Sequence, residues 1–263
     1  MIDIHTHILP GIDDGVETED DSIEFARVAA ADGIRVIVAT PHCKEGFYDN
    51  DRPKILAAVE RLRARLGAES IAIDLLPGAE VHLCPDLVER VRDGRAPTLA
   101  DNGKTLLLEL SLSQYPVELN NLVFQLKLAG IQVIFAHPER VRFFQDDIRR
   151  YEEVVRLGAY GQITTGSVLG IFGSTALSFS EELLRKDLIH VLASDAHNVR
   201  GRPPVLRAAL EAVIPWVGES RARSMAADVP QAFIEGREPT IPPLEPQVRK
   251  NSSFLSKWFG RDR

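Results

Sequence analysis

Residues 105–140 read TLLLELSLSQYPVELNNLVFQLKLAGIQVIFAHPER, and this stretch decides the fold. It opens with an almost unbroken aliphatic run, Thr105 to Leu110, as expected of a strand buried on both faces. Leu119, Leu122, Val123 and Leu126 then recur at i, i+3, i+4 and i+7, which predicts a helix with one apolar face. Gly130 supplies its stop. A second aliphatic run, Ile131 to Ala136, ends in His137. Strand, helix and strand in so short a span require parallel pairing through a right-handed crossover.

The same rhythm extends in both directions. Further apolar runs occupy Ile2 to His5, Ile34 to Ala39, Ile71 to Leu76, Ala159 to Thr164 and Ile189 to Ala193, seven runs in all. Arg52-Pro53 starts a helix that runs to about Leu66, with Gly67 as its stop. Ile148, Tyr151 and Val155 mark another before Gly158. Seven strand–helix units predict an α/β chain folded as a closed or nearly closed barrel over residues 1–245, rather than an open sheet with a second domain. Glu238 to Pro246 holds four prolines and is expected to run extended along the surface. Residues 246–263 form a basic tail in which Phe254, Leu255, Trp258 and Phe259 would share a helix face. It reads as a segment packed on its own barrel or partly disordered, or alternatively as a docking segment for a partner or an anionic membrane.

The chain has 263 residues and a formal net charge of −7, with no dense Lys/Arg block before the tail. That balance argues against a nucleic-acid partner, although a local basic patch on an acidic protein is allowed. Two cysteines, Cys43 and Cys84, make no disulfide framework. The start lacks the basic, apolar and small-residue segments of a signal peptide, and no run of eighteen apolar residues is present, so a cytoplasmic protein without a membrane span is expected.

The chemistry-bearing residues cluster where the runs end. His5 and His7 lie at i and i+2, so an extended chain presents both imidazoles on one side. His42 follows the second run, Glu80 the third, Glu109 ends the fourth and His137 closes the fifth. Asp195 and His197 close the seventh and repeat the i, i+2 spacing. Taken singly, each has a plainer reading. His137 fits a satisfied core histidine, Glu109 an arginine partner, and Asp14 a turn residue. Taken together they are harder to explain structurally, because the carboxyl ends of parallel barrel strands all open on one mouth. A carboxylate ending a buried strand is costly unless paired or bound to metal. Arg140 and Arg202 follow His137 and His197, and guanidinium groups match phosphate oxygens in a bidentate manner. His190 falls inside a run and reads as structural, while His82 reads as a rim or supporting group. Cys84 and Arg90 share the Cys-x5-Arg spacing of cysteine phosphatases. The residues between them include Asp86 and Glu89 and no glycine, which disfavours both a phosphate cradle and a thiolate.

These motifs resemble the polymerase and histidinol phosphatase (PHP) superfamily. Within it, the bacterial metal-dependent tyrosine-protein phosphatases of capsule and exopolysaccharide synthesis are the nearest match. The resemblance is carried by Asp3 to Gly15 (DIHTHILPGIDDG), Ala39-Thr40-Pro41-His42, Pro77-Gly78-Ala79-Glu80, Leu108-Glu109, Ala136 to Arg140 (AHPER), and Ser194 to His197 with Arg202-Pro203. It covers residues 1 to about 235 and implies a distorted (β/α)7 barrel holding three divalent metal ions, Mn²⁺ foremost, with Fe or Zn²⁺ as alternatives. It further implies that His5, His7, Glu80 and Asp195 surround the first ion. Glu80 bridges to a second ion, shared with Glu109 and His137, and Asp14, His42 and His197 hold the third. Arg140 and Arg202 would grip phosphate, with Asp195 beside them in the catalytic set. The implied substrate is phosphotyrosine on a cognate autophosphorylating tyrosine kinase of polysaccharide synthesis. Thr164 and Thr165 depart from the expected polar pair, and His82 from the expected aliphatic or polar residue. The rival readings are a small-metabolite phosphatase such as a histidinol phosphatase, a phosphodiesterase or 3′-exonuclease, and a non-catalytic scaffold for an envelope-polysaccharide kinase. The sequence sets no oligomeric state.

Overall fold

The computed structural model describes residues 1–245; the basic tail predicted over 246–263 lies outside the described residues. Nine strands appear in chain order: β1 (Ile2–Thr6), β2 (Val36–Ala39), β3 (His42–Cys43), β4 (Asp74–Pro77), β5 (Glu80–His82), β6 (Thr105–Glu109), β7 (Gln132–Ala136), β8 (Tyr160–Thr164) and β9 (Val191–Ala193). All neighbours pair in parallel, in the orders β1-β2-β4 and β3-β5-β6-β7-β8-β9.

Nine strands still make seven barrel units, because β2 and β3 are two halves of one run and so are β4 and β5. The first break falls at Thr40-Pro41, where the proline has no N–H to give the ladder. Thr40 compensates with its side chain: Oγ1 accepts from the Thr6 N–H at 2.9 Å, while the Thr40 N–H reaches the Thr6 carbonyl at 2.8 Å. The second break falls at Gly78, where a Cβ would meet Val38 Cγ1 at 2.8 Å. The barrel closes between its last and first strands. The Asp195 N–H bonds the His5 carbonyl and the His7 N–H bonds the Ala196 carbonyl, both at 2.9 Å.

The helices are α1 (Glu19–Asp32), α2 (Arg52–Ala68), α3 (Leu87–Arg92), α4 (Leu119–Leu128), α5 (Arg142–Asp146), α6 (Arg149–Arg156), α7 (Thr165–Val168), α8 (Ser174–Arg185), α9 (Arg207–Val217), α10 (Glu219–Met225) and α11 (Asp228–Ile234). Local chemistry sets their ends. Thr18 and Asp21 form a reciprocal capping box at the start of α1, and Asp51 caps α2 through the Lys54 N–H at 2.9 Å. Gly130 takes φ +76 after α4, as predicted. Gly67 does not stop α2; the helix continues to Ala68, and the left-handed turn falls on Ser70 at φ +54. The Ile71 N–H closes that turn onto the Leu66 carbonyl. In α6 the buried apolar positions are Tyr151 and Val154, with Val155 only partly covered.

Two apolar layers result. Ile2, Ile4, Val38, Leu107, Ile134, Val191 and Ala193 fill the barrel, which Val229 and Phe233 of α11 plug at its base. The larger layer lies between the barrel wall and the helices. Apolar packing therefore fills the lower barrel, leaving the upper end for polar groups. No helix among the described residues is long and apolar enough to cross a membrane.

Candidate metal centre

A bulge in β1 begins the site. Its register against β2 shifts between Asp3 and Thr6, adding one residue on the β1 side. Such an insertion re-aims the chain, and His5 follows Ile4 toward the barrel axis. There the His5 ring stands 3.2 Å (Nε2) from Glu80 Oε2 and 3.4 Å from Asp195 Oδ1. His7 Nε2 lies 3.5 Å from each of the same two oxygens. His137 Nε2 is 2.8 Å from Glu80 Oε1. His42 places Nδ1 at 2.9 Å from Glu80 Oε2 and 3.6 Å from Glu109 Oε2, with Nε2 at 3.3 Å from Asp14 Oδ1. His197 Nε2 reaches the same Asp14 oxygen at 3.4 Å. All nine ligand candidates read from the sequence thus meet in one pocket.

Among the described residues, four sets each bring their donor atoms within 4.8 Å of one another: His5, His7 and Glu80; His5, His137 and Asp195; His42, Glu80 and Glu109; and His7, Asp14, His42 and His197. The grouping differs in detail from the one implied by resemblance. Glu109 sits with His42 rather than with His137, and His7 also joins the outermost set.

Arg140 and Arg202 converge on the other oxygen of Asp195. Their Nη1 and Nη2 atoms lie 3.0 Å and 2.5 Å from Oδ2. Asp195 therefore turns one oxygen to the histidines and the other to the arginines. His137 and Asp195 both carry positive φ, +35 and +52, so the chain bends sharply where β7 and β9 end.

The electrostatics follow from burial and crowding. Burial pushes the Glu80 carboxyl up, but His5, His137 and His42 outweigh it and hold it well below the usual carboxylate range. Burial likewise opposes ionisation of Asp195, and His5, His7 and Arg202 overcome it. The His7 ring is pulled down by burial and raised well above its ordinary value by Asp13, Asp195 and Glu80. Asp14 is held down by His197 and His42. The His5, His7 and His42 rings are drawn toward a proton because carboxylates surround them, whereas burial prevails at His197 and lowers it; a divalent cation satisfies such carboxylates equally well. Glu80 Oε2 is buried with no hydrogen-bond donor directed at it, although three imidazoles surround it. An unsatisfied carboxylate oxygen among imidazole nitrogens fits a bound metal ion, and the mixed N/O donor set suits Mn²⁺, Fe or Zn²⁺.

Several supporting residues escaped the sequence reading. His5 Nδ1 donates to Gln162 Oε1 at 2.9 Å, and His7 Nδ1 pairs with Asp13 Oδ2 at 2.7 Å. Both bonds leave Nε2 facing the pocket. Asp13 also accepts the His42 and Gly15 N–H groups. Gln162 carried a visible signal, being polar within a buried strand; Asp13 had none that set it apart from Asp14. Glu139 is wholly buried, accepts from the Thr164 N–H and Ser167 Oγ, and has its carboxyl raised by burial.

The other candidates separate cleanly. His82 Nδ1 donates to the Leu83 carbonyl at 3.1 Å and joins none of the four donor sets. It lines a cavity of about 870 Å³ with Cys43, Cys84 and Arg90, beside the site rather than in it. Burial pushes the Cys84 thiol up to about 11, and Arg90 is engaged by Asp86 and Glu45, so the Cys-x5-Arg spacing builds no phosphate cradle. Thr164 and Thr165 are buried at the top of β8.

Relatives align with this chain over most of its length. The family described as "Capsular polysaccharide synthesis, CpsB/CapC" matches residues 1–235. Tyrosine-protein phosphatase YwqE of Bacillus subtilis is 41 % identical over 202 residues, covering 77 % of this chain and 79 % of the relative. Tyrosine-protein phosphatase CpsB of Streptococcus pneumoniae is 30 % identical, over 89 % of this chain and 98 % of its own. A solved structure from work on YwqE and CpsB, described as unique metal-dependent tyrosine phosphatases, superposes with a TM-score of 0.88 at 35 % identity, covering 94 % of this chain and 99 % of that one. Histidinol phosphate phosphatase of Lactococcus lactis shares the fold at a TM-score of 0.53 and 13 % identity, over 84 % of this chain and 93 % of that one.

Proposed function

The chain belongs to the capsular polysaccharide synthesis family CpsB/CapC, and on that footing we propose that it is a metal-dependent phosphatase hydrolysing protein phosphotyrosine. The observation that carries the reading is Asp195, whose carboxylate joins the histidine cluster to two arginines. Cation-binding groups and phosphate-binding groups share one residue, so both act on one small ligand.

In this reading His5, His7, Asp14, His42, Glu80, Glu109, His137, Asp195 and His197 hold three divalent cations, Mn²⁺ in the first instance. Such ions, when bound, lower the pKa of water and polarise phosphoryl oxygens. The rest falls to the chain itself. Arg140 and Arg202 bind the phosphoryl oxygens and neutralise charge as it builds on them. Asp195 orients both guanidinium groups through Oδ2. Gln162 and Asp13 fix the tautomers of His5 and His7. The leaving phenolate has a conjugate acid of pKa roughly 10, so it departs without a dedicated side-chain acid. The proposed partner is an autophosphorylating tyrosine kinase of polysaccharide synthesis, met in the cytoplasm.

Hydrolysis of a phosphotyrosine peptide, with and without a chelator, tests this directly. Activity is expected to vanish on metal removal, to return with Mn²⁺, and to persist in Cys84→Ser. Chelator-resistant turnover would end the reading. A panel of histidinol phosphate, sugar phosphates and a labelled oligonucleotide separates the peptide substrate from the metabolite and nucleic-acid alternatives. Kinase binding with no hydrolysis under metal-replete conditions would mark a scaffold instead.

A further inference from the structure

One aromatic ring lies beneath both arginines. The Arg140 guanidinium carbon is 4.8 Å from the centroid of Phe172, and that of Arg202 is 5.7 Å from it. The three residues come from different units: Arg140 from the turn after β7, Phe172 from the loop after β8 and α7, and Arg202 from the loop after β9. The two cations therefore share one ring face-on from below and one carboxylate oxygen from the side.

The ring is itself fixed. Gly170 at φ +75 and Gly173 at φ +91 bracket the segment, conformations open chiefly to glycine. The Ile171 N–H bonds the Gly166 carbonyl at 2.8 Å. A Cβ on Gly166 would stand 2.7 Å from the Phe172 ring, so the close seat of the ring depends on that glycine. Free arginine side chains lose much rotamer freedom when they clamp an anion. A rigid π face under both of them removes part of that loss in advance and offsets the repulsion of two adjacent like charges.

We propose that Phe172 is a positioning residue that preorganises the Arg140–Arg202 pair for the phosphoryl group. The proposal rests on the reading above that this pair grips phosphate. Phe172→Leu keeps apolar bulk and removes the π face; Phe172→Tyr keeps both. With metal-loaded enzyme, an aryl phosphate as substrate and inorganic phosphate as competing ligand, Phe172→Leu is expected to raise KM and weaken phosphate inhibition about tenfold. Phe172→Tyr should stay within about twofold of the parent, and metal content should be unchanged in both. Phenylalanines of increasing fluorine content at position 172 give a second series of nearly constant shape, in which phosphate affinity should fall stepwise. A flat fluorine series, or Phe172→Leu binding phosphate like the parent while Arg140→Ala and Arg202→Ala lose it, overturns the role of the ring and leaves the phosphatase reading intact. Phosphate affinity preserved in both arginine variants would overturn the reading of the pair, and this inference with it.

Discussion

At the base of the barrel His190 precedes β9; at the mouth His42 forms the start of β3. Both are largely buried imidazoles at strand ends, and their surroundings drive them in opposite directions. His190 accepts the Gly161 N–H at Nδ1, 3.0 Å, packs edge-on to Tyr160, and is pushed down to about 3 by burial with Arg221 adding to the effect. His42 is raised, because Asp14, Glu109 and Glu80 outweigh its burial. The base also buries a charge, Arg221 at 1 % exposure, but surrounds it with the Asp187 carboxylate and the carbonyls of Ile189 and Pro242. The mouth buries carboxylates and leaves one oxygen of Glu80 without a donor. The base uses polar groups to fasten the segment around Pro242 onto the barrel. The mouth gathers more acceptors than the chain supplies donors for, and such an imbalance is what a cation corrects.

The largest expected effect lies at the mouth. Glu80→Gln removes the carboxylate that every inner histidine faces. Bound metal, measured by elemental analysis, and phosphotyrosine hydrolysis should both fall, the latter by about 10³-fold. Unaltered metal content would break the contrast between the two ends.

A smaller effect lies at the base, in acid. The folded protein keeps His190 neutral down to about pH 3, while the unfolded chain takes up its proton near 6.5. Between those values the unfolded state binds more protons, so stability is fully present above pH 6.5 and is lost as pH falls toward 3. The contribution is on the order of 4 kcal/mol. Urea midpoints across that window should fall less steeply for His190→Asn than for the parent; parallel slopes would show that His190 is not the group involved.

The smallest effect separates fastening from chemistry. Arg221→Met should cost about 2 kcal/mol, less than a fully buried pair, because Asp187 is half exposed and rehydrates. Its kcat, measured with saturating metal, should match the parent. A drop in kcat with unchanged melting would mean that the base communicates with the mouth.

Much of this was legible in the sequence for identifiable reasons. Seven aliphatic runs fixed seven units, since buried parallel strands have no polar face to vary. Eight of the nine ligand candidates stood out because a carboxylate or imidazole at or just past the end of such a run has no cheap structural explanation, whereas Asp14 read as a turn residue and entered the set only through the family resemblance. The breaks that turn seven runs into nine strands were hidden, since Thr40 disguises the interruption by hydrogen-bonding in place of a ladder. Gly67 misled because a glycine can also continue a helix when the residues around it stay helical. Asp13 and Phe172 gave no periodic signal, because each owes its role to partners brought in by other units.

The backbone bends at His137 and Asp195 carry a consequence for any saturation library. At φ +35 and +52 the main chain screens side chains before their chemistry is tried. Valine, isoleucine and threonine are rejected there on shape, whatever their donors, whereas asparagine and glycine are admitted. Dead β-branched clones at these two positions would therefore report on torsion angles. Only the asparagine and glycine clones would report on the lost imidazole or carboxylate.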